Sequence, residues 1–557
     1  MKKITVLFSI FFCLFSANAL ADTHAAASCS SADVTTAITA AEAGDIVTVA
    51  GNCTWSETVT VNKPITIQGT WNGSTGTTLT ASGAMGTDQN NSSAGGFFWV
   101  TGFNAATLCR ITGFKFEMTD STPKVAIKVS VLGTNSTSVR IDGNYFNEGN
   151  AHINIYTLVA LIDNNEFHNW NGERAIEYEA EIGGSRTLQD SIWNTSLSAG
   201  GSDALFIENN KFYNDAAGYI LDNNRSGKLV IRYNTIDYTD YTGQFDVLQN
   251  HGNDFGYWQN TSDSDTTRSL AILEMYNNSI SGNRVGYLYT CRGGIFLVHD
   301  NKVTSSPNRT PSLVRMYDDE YSVTGDFNPL RTAYPPEDSV HNSFAWNNKG
   351  PTGSNITEWY NASLYTLNKD YFFQKPCGAS DETDGEGNTC NHGSQSFTCA
   401  EGHESACNGS TNVAPTDGTT YHNYGQLTWT ATGDNAHYPY TSYTCPHPIV
   451  DPTAALECDS AAQGTGVAGG YGLTKESTYY NVTLSITGSG TLSPGTTQSV
   501  ISGGNGSAIT ATPINDAWNF TGWSGTCGCT GTGTCTATNV TGDCTVVGTF
   551  TSVKLLN

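Results

Sequence analysis

The stretch that decides the fold runs from residue 139 to residue 167 and contains Ile141–Phe146 (IDGNYF) and Ile162–Phe167 (IDNNEF). Each segment places a strand-like run, an asparagine, one further residue and a large apolar residue in the same order. The pattern returns at Ile207–Phe212, Ile231–Ile236, Met275–Ile280 and Val298–Val303. Repetition of one short unit is typical of solenoids, in which each unit stacks on its neighbours.

The spacing of the asparagines gives the size of the repeating unit. They are Asn144, Asn165, Asn210, Asn234, Asn278, Asn301 and, in a weaker copy, Asn348. Successive separations are 21, 45, 24, 44, 23 and 47 residues, or single and double multiples of about 22. We therefore expect one irregular coil between residues 168 and 204 and another between 237 and 270. The asparagines are expected to stack as an internal ladder that satisfies backbone groups.

The repeat also predicts which side chains face the core, because strand residues alternate between the two faces of a sheet. The third and fifth residues before each asparagine are apolar, as in Ile141 with Val139. The second residue before each asparagine must then face outward. This outward row is Asp142, Asp163, Glu208, Arg232, Tyr276 and His299. Since stacked coils lie ~4.8 Å apart, Asp142 should adjoin Asp163, Glu208 should adjoin Arg232, and Tyr276 should adjoin His299.

The first 21 residues have the features of a cleavable export signal, with Lys2 and Lys3 before an apolar run and small residues near the cleavage point. No later stretch approaches ~20 uninterrupted apolar residues, so we expect a secreted protein without membrane insertion. Loss of Cys13 takes the cysteine count from 15 to 14, and an even count predicts disulfides. We expect Cys29 to pair with Cys53.

Composition restricts the partners. The formal net charge is −25, from 26 basic and 51 acidic residues, which makes nucleic acid an unsuitable partner. Salt confines electrostatic fields to ~8–10 Å, so a local basic groove or a bound cation can still hold an acidic sugar. The chain's charge therefore leaves polysaccharide partners open.

The N-terminal region predicts a cap for the solenoid. A short helix begins near Ser31, carries Val34, Ile38 and Ala41 on one face, and ends at Gly44. Three short strands follow within residues 46–68. The helix and the run Lys63–Gly69 together resemble the N-terminal cap of pectin-lyase-like β-helix proteins.

Several strings further along resemble secreted bacterial right-handed β-helix repeat proteins of this superfamily. They are Asp203–Asn210, Asn250–Gly252, Arg268 with Glu274–Asn278, Arg292–Gly294, Asn368–Phe372, Tyr438–Tyr440 and Cys445–Pro448. The resemblance covers roughly residues 30–450 and implies an all-β fold, a right-handed parallel β-helix with an N-terminal capping helix. It implies an architecture shared with polysaccharide enzymes, without their catalytic strings.

The segment 351–458 is rich in cysteine and is expected to close the β-helix that occupies residues 22–350. Its Cys377, Cys390, His392, Cys399, His403 and Cys407 lack the tight spacing of a zinc site. Disulfides are the interpretation that we favour here. Trp429 and nearby tyrosines are expected to pack over the open end of the core, with stacking on sugar rings as the alternative.

A separate module follows. Residues 459–478 have the composition of a linker, and their Gly464–Gly469 string lacks the strand and helix of a nucleotide site. Residues 479–557 contain alternating strands and the run Gly522–Gly525 (GWSG). This region resembles the internalin-type B repeat of bacterial surface proteins, and we expect its four cysteines to pair among themselves.

Two functions remain open: cleavage of extracellular polysaccharide by β-elimination or hydrolysis, or non-catalytic glycan binding and adhesion at a cell surface or in a matrix. We expect function on the outward row. For elimination, Arg232 or His251 is the candidate base and Arg292 the carboxylate partner. For hydrolysis, Glu208 and Glu274 form the acid/base pair. Tyr276 and His299 would bind substrate, and the alternative is a structural row with a surface Glu208–Arg232 ion pair.

A calcium site is the candidate cofactor site. Asp142 and Asp163 would repel each other at ~4.8 Å unless a cation or proton lies between them. Glu177, Glu179 and Glu181, on one face of another strand, are the alternative cation ligands. The competing interpretation is a pair of aspartates that splay into water.

Overall fold

The computed structural model describes the greater part of two compact units, Met1–Tyr471 and Gly472–Asn557. The described residues are 21–82, 85, 95–103, 108–118, 125–131, 139–149, 151–170, 174–180, 199–223, 226–250, 269–316, 340, 343–357, 360–361, 371–376, 440, 442–445, 447–450, 479–493, 495, 498–501, 507–540 and 542–553. The export signal and the Cys377–Cys407 cluster lie outside them. The units divide within the segment 459–478 that we expect to be a linker.

Three all-parallel sheets form the first unit. Sheet 1 has twelve described strands: Thr23–Ala25, Ile46–Thr48, Thr66–Gln68, Cys109–Thr112, Val139–Asp142, Ala160–Asp163, Leu205–Glu208, Lys228–Arg232, Ile272–Tyr276, Ile295–His299, Ser343–Trp346 and Tyr371–Phe372. Sheet 2 has ten: Val59–Val61, Phe98–Thr101, Ile127–Ser130, Ile153–Ile155, Arg174–Tyr178, Tyr219–Asn223, Leu248–Asn250, Tyr287–Cys291, Ser312–Met316 and Tyr360–Asn361. Sheet 3 has nine: Asn52–Trp55, Thr78–Ala81, Lys115–Glu117, Tyr145–Asn147, Glu166–His168, Lys211–Tyr213, Thr235–Tyr238, Ser279–Gly282 and Lys302–Ser305.

The chain visits sheets 1, 3 and 2 in turn and then returns to sheet 1, which is the path of a parallel β-helix. The predicted fold class is therefore confirmed. Strands Tyr360–Asn361 and Tyr371–Phe372 extend sheets 2 and 1 beyond residue 350. The coil stack thus continues into the segment that we expected only to close it.

The helix Ser31–Ala40 packs at the N-terminal end of the stack. Ser30 caps it by accepting a hydrogen bond from the Asp33 amide, and Val34 and Ile38 are buried. The ammonium group of Lys63 donates to carbonyl oxygens of the last turn, including that of Ala41 at 2.6 Å. These bonds satisfy carbonyls that have no partner within a helix.

The asparagine ladder is confirmed from Asn144 to Asn348. In each step the side-chain Nδ2 of one asparagine donates to the Oδ1 of the next, over 2.9–3.1 Å. The backbone amide of each asparagine also donates to the next Oδ1. Each side-chain amide from Asn165 onward donates as well to two backbone carbonyls of its own strand and the preceding one. The ladder thus pairs backbone groups that turn away from the sheets.

The expectation of hidden coils in the long separations is wrong. Strand Ala160–Asp163 pairs directly with Leu205–Glu208, and Lys228–Arg232 pairs directly with Ile272–Tyr276. Asn165 and Asn210 are accordingly neighbours in the ladder. Each long separation is one coil with an insertion, which lies in the chain between a strand of sheet 2, ending at Tyr178, Asn250 or Met316, and the next strand of sheet 1, beginning at Leu205, Ile272 or Ser343. The spacing alone cannot distinguish a second coil from a long insertion.

Apolar side chains fill the space between the three sheets, as the alternation predicts. Phe116, Phe146, Phe167 and Phe212 stack in successive coils with ring centroids 4.6–5.1 Å apart. Identical residues stack well here because in-register parallel strands place them directly above one another.

The disulfides Cys29–Cys53, Cys527–Cys544 and Cys529–Cys535 are present as expected. Cys445 is also disulfide-bonded. Cys109 and Cys291 are free thiols buried in the β-helix core. These two cysteines serve as small apolar side chains, so the even count does not mean that every cysteine is paired.

The second unit is a small β module. Its four-stranded sheet contains Tyr479–Thr487, Gln498–Ile501, Trp518–Ser524 and Cys544–Ser552, and a two-stranded sheet contains Gly490–Ser493 and Thr510–Pro513. Val482, Trp523 and Val546 are buried at its centre. Across the described part of the chain, no helix is long and apolar enough to cross a membrane.

Candidate functional site

The outward row on sheet 1 has the predicted register. Asp142 lies opposite Asp163, Glu208 opposite Arg232, and Tyr276 opposite His299. A second outward column runs beside it, since the residue four before each ladder asparagine also points away from the core. This second column is Arg140, Leu161, Phe206, Val230, Glu274 and Leu297.

The row is buried, contrary to our expectation of an open groove. Glu208 and Arg232 have no exposed surface, His299 is 4% exposed, and Glu274 of the second column is also fully buried. The cover includes a segment that we name the strap, which comprises Tyr440, residues 442–445 and residues 447–450. Strap residues Tyr443, Ile449 and Val450 pack on the apolar part of the second column. The interpretation of Glu208 and Arg232 as a surface ion pair is therefore wrong.

A run of apolar residues at outward positions is the sequence pattern that indicates a covering segment, and the polar row alone does not reveal it. Leu161, Phe206 and Val230 occupy outward positions in three successive coils. Large apolar side chains on the outside of a β-helix cost free energy unless something covers them. Examination of the fourth residue before each asparagine would thus have predicted a segment over this face.

Arg232 is the centre of the contact between row and strap. Its Nε donates to Glu208 Oε2 over 2.7 Å, and its Nη1 donates to the Tyr276 hydroxyl over 2.9 Å. The guanidinium group also donates to the carbonyl oxygens of Tyr443 and Thr444, over 2.7 and 3.0 Å. These bonds leave the guanidinium group with no surface for a substrate in this state.

Glu208 also links the row to the strap, through the carboxylate oxygen that faces the strap backbone. Its Oε1 accepts a hydrogen bond from the backbone amide of His447 over 3.0 Å, while its Oε2 binds Arg232. An ion pair that is fully buried must have its remaining polar atoms bonded to be stable. The strap backbone supplies those bonds.

Glu274 lies in a second buried ion pair, one column away. Its Oε1 is 3.0 Å from the Lys228 ammonium group and accepts from the Gly200 amide over 2.7 Å. Its Oε2 accepts from the Tyr440 hydroxyl over 2.9 Å. The carboxylate is thus held by three donors and lies apart from the carboxylate of Glu208, which binds different partners.

His299 joins this network through its ring nitrogens. Nε2 lies 3.2 Å from the Tyr440 hydroxyl, and Nδ1 lies 2.7 Å from Asp300 Oδ2. The ring is stacked between Tyr276 and Trp346, with centroids 4.7 and 4.1 Å away. This geometry holds the imidazole rigidly within the covered face.

Arginines neutralise the two aspartates that suggested a calcium site. Arg110 Nε donates to Asp142 over 2.6 Å, and Arg140 donates to both carboxylate oxygens of Asp163 over 2.9 and 2.7 Å. Burial raises the pKa of Asp163 to about 6, against the lowering effect of Arg140. The repulsion between the Asp142 and Asp163 carboxylates, which was the reason to expect a calcium ion, is thus offset by two guanidinium groups. Among the described residues, no cluster of three or more His, Cys, Asp or Glu has a metal-binding arrangement.

Two predicted site residues are not among the described residues of the row. His251 is outside the described residues. Arg292 follows strand Tyr287–Cys291 of sheet 2, so it is not part of the row. Its charge acts on Tyr219, which also lies on sheet 2.

The outward face of sheet 2 contains a second polar column that the asparagine repeat does not reveal. Glu177, Asp222, Gln249, Thr290 and Arg315 are paired in register on five successive strands. Four inter-strand steps give the column a length of ~19 Å. The strands of sheet 2 lack the recurring asparagine motif that marks sheet 1, so their register could not be read from the repeat.

Charged and aromatic groups surround this column. Arg174 donates to Glu177 Oε1 over 2.7 Å and to Asp222 Oδ2 over 3.1 Å. The Tyr287 ring lies 5.5 Å from the guanidinium carbon of Arg315 and 5.5 Å from that of Arg309.

Tyr219 lies in the same region as four charged groups of this face. Its pKa is raised to about 12, mainly by burial and also by Asp246 and Asp222, whereas Arg292 and Arg315 act to lower it. The phenol therefore keeps its proton at neutral pH and remains a hydrogen-bond donor.

One family model matches the chain, the divergent InlB B-repeat domain, over residues 480–554. It covers the second unit and confirms the resemblance that we drew from the GWSG run. No curated protein matches the chain. The parallel β-helix, the disulfides and the B-repeat domain are together consistent with a surface or extracellular protein.

Proposed function

We propose that this protein binds an extracellular polysaccharide along the outward face of sheet 2 and cleaves it there, by β-elimination or hydrolysis. The observation that carries the proposal is the polar column from Glu177 to Arg315, which is continuous over five coils. A linear polymer needs an extended row of polar and aromatic groups, and a parallel β-helix supplies one on a rigid scaffold.

Sheet 2 is favoured over sheet 1 because part of its polar face is accessible, while Glu177, Asp222 and Thr290 of the column are buried. Gln249, Arg292 and Arg315 are partly exposed, as are the rings of Tyr219 and Tyr287. The corresponding groups of sheet 1 bind the strap instead. Catalytic roles for Glu208, Arg232 and Glu274 would require the strap to leave first.

The groups on sheet 2 suit either cleavage chemistry. Glu177 and Asp222 lie on adjacent strands, ~4.8 Å apart, close to the ~5–5.5 Å separation of two carboxylates in retaining hydrolases. For elimination, Arg292 or Arg315 would neutralise a uronate carboxylate while a base removes the proton from the carbon next to that carboxylate. The double bond then forms as the bond to the glycosidic oxygen breaks, and that oxygen takes up a proton as it leaves. Because Arg174 holds both carboxylates, a substrate would have to compete for that guanidinium group in either reaction.

Non-catalytic glycan binding is the second candidate, and the B-repeat domain favours it. The module lies beyond the β-helix in the chain and carries few charged residues, as expected of a spacer or binding domain. The same polar column would then serve adhesion instead of turnover.

The test is a panel of polysaccharides with the mature full-length protein, read by ultraviolet absorbance for elimination and by reducing ends for hydrolysis. Affinity electrophoresis on the same panel measures binding. If the reaction is hydrolysis, we expect Glu177→Gln and Asp222→Asn to reduce turnover at least 100-fold, an effect typical of lost acid–base groups; if it is elimination, substitution of Arg292 or Arg315 should reduce turnover instead. Glu166→Gln is the matched control, since Glu166 is a half-exposed carboxylate on sheet 3 that binds Lys211.

The outcomes separate the candidates. Turnover that depends on Glu177 and Asp222, or on Arg292 or Arg315, but not on Glu166 supports cleavage on sheet 2. Binding without products, weakened by substitutions at Arg292 or Arg315, identifies the non-catalytic alternative. Neither binding nor products with the wild-type protein would overturn both.

A further inference from the structure

We propose that the outward face of sheet 1 is a peptide-binding surface, that the strap is its tethered ligand, and that protonation of His447 releases the strap. This inference concerns a different face from the proposed polysaccharide site and does not depend on it. It starts from how the strap is held.

Sheet 1 recognises the strap mainly by its backbone. One guanidinium group, that of Arg232, binds the successive carbonyl oxygens of Tyr443 and Thr444. Glu208 accepts the amide of His447, four residues beyond Tyr443. Donors and acceptors of sheet 1 are thus placed to fit the backbone of the strap, and main-chain hydrogen bonds of this kind give peptide-binding surfaces their affinity.

Side chains of the strap set its register on the surface. The Tyr440 hydroxyl donates to Glu274 and contacts His299. The rings of Tyr443 and His447 pack against Phe206, with centroids 5.2 and 4.8 Å away. Tyr440 contacts later coils and His447 contacts earlier ones, so the strap crosses successive coils against their order in the chain.

His447 is the group on which release depends. Its ring is 3% exposed, and its Nδ1 accepts a hydrogen bond from the Ile449 amide over 3.3 Å. Nε2 then carries the proton of the neutral ring, and within the described part of the chain it has no hydrogen-bond partner. A second proton would have to enter at Nδ1, where the ring already accepts.

The charged groups around the ring come from three strands. Glu208 favours the imidazolium form, whereas Arg232 and Arg140 disfavour it. Glu208 is already paired with Arg232, and Arg140 is bonded to Asp163. Tyr443 of the strap adds a neutral phenol next to the ring. Protonation would therefore add an uncompensated charge to a buried site.

Burial lowers the pKa of His447 from 6.5 to about 4 in the closed state. A ring freed into solvent returns to about 6.5. Since the closed-state pKa is the lower one, closure is fully stable above pH 6.5 and loses stability as the pH falls towards 4. Between pH 7.5 and 4.5 the equilibrium should shift towards the open strap by roughly 50- to 100-fold.

Opening would uncover the face that contains Glu208, Arg232 and Glu274. The strap is part of the same chain and its Cys445 is disulfide-bonded, so an opened strap stays near the face and can close again. Release is thus reversible when the pH rises.

Hydrogen exchange of the intact mature protein tests the proposal, with the opening constants of the His447 and Ile449 amides followed from pH 7.5 to 4.5 and corrected for intrinsic exchange. We expect a 50- to 100-fold rise in the wild type and a flat profile in His447→Phe. His447→Gln, which is neutral and keeps an acceptor, replaces the phenylalanine variant if that variant does not fold. The amides of the Asn234 region serve as an internal control, because the ladder stays closed.

A pH-independent wild type would overturn the proposal. So would an equal pH dependence in the wild type and in the variant without a titratable group, since another residue would then govern opening. Opening that spreads to the ladder amides would indicate global acid unfolding and would likewise contradict a local release.

Discussion

Arg232→Met distinguishes a catalytic arginine from one that holds the strap. The substitution keeps an unbranched side chain but removes the charge, so Glu208 stays buried without its partner. Breaking one side of a buried ion pair costs about 3–5 kcal/mol. For a unit of about 450 residues, an unfolding entropy of ~2.1 cal/mol/K per residue gives about 1 kcal/mol per degree. The melting temperature of the β-helix should therefore fall by about 3–5 °C.

Calorimetry of the variant checks this value, with Arg110→Met as the matched control. Arg110 makes the same type of bond to Asp142, but 35% of its side chain is exposed, so its loss should cost no more than about 1 kcal/mol. The double variant Glu208→Leu/Arg232→Met should recover part of the loss, since no single charge stays buried. A melting temperature within 1 °C of the wild type in Arg232→Met, combined with loss of glycan binding or turnover, would refute the structural role and restore the catalytic one.

Asn234→Ala should destabilise the β-helix by about 3 kcal/mol or more, because the carbonyls of Ile207 and Arg232 and the amide of Asn210 lose their hydrogen-bond partner. Urea unfolding measures this loss, with Asn209→Gly as the control variant. Equal effects of the two variants would contradict the ladder's role. Cys109 and Cys291 should react with iodoacetamide only after unfolding, since burial raises both thiol pKa values to about 12. Peptide mapping measures this, and modification of either cysteine in the native protein would show that the core opens locally. Chelation should leave the melting temperature unchanged, because Arg110 and Arg140 already neutralise Asp142 and Asp163; a drop that Ca²⁺ reverses would re-establish the calcium site.

The repeat in the sequence was sufficient to determine the parallel β-helix, the asparagine ladder and the register between those strands of sheet 1 that lie one short separation apart. In-register parallel strands place equivalent residues directly above one another, so a short motif that recurs once per coil specifies its own neighbours. Asp142 beside Asp163 and Glu208 beside Arg232 followed from counting alone. The B-repeat module was likewise recognisable from its local strings, because its strands are close in the chain.

The long separations show where this counting stops. A separation of 45 residues fits two coils or one coil with an insertion, and only the direct pairing of Ala160–Asp163 with Leu205–Glu208 decides between them. Hydrogen bonding between strands depends on which residues meet in space, and loop length costs little free energy.

Whether an outward residue is exposed was also decided by the tertiary structure. Glu208 and Arg232 face away from the core, as the alternation requires, but residues more than 200 positions later in the chain cover them. Alternation reports which side of its own strand a residue occupies and carries no information about what packs against that side. The polar column of sheet 2 was invisible for a related reason: without a repeated asparagine, only the assembled coils bring Glu177, Asp222 and Arg315 into one line.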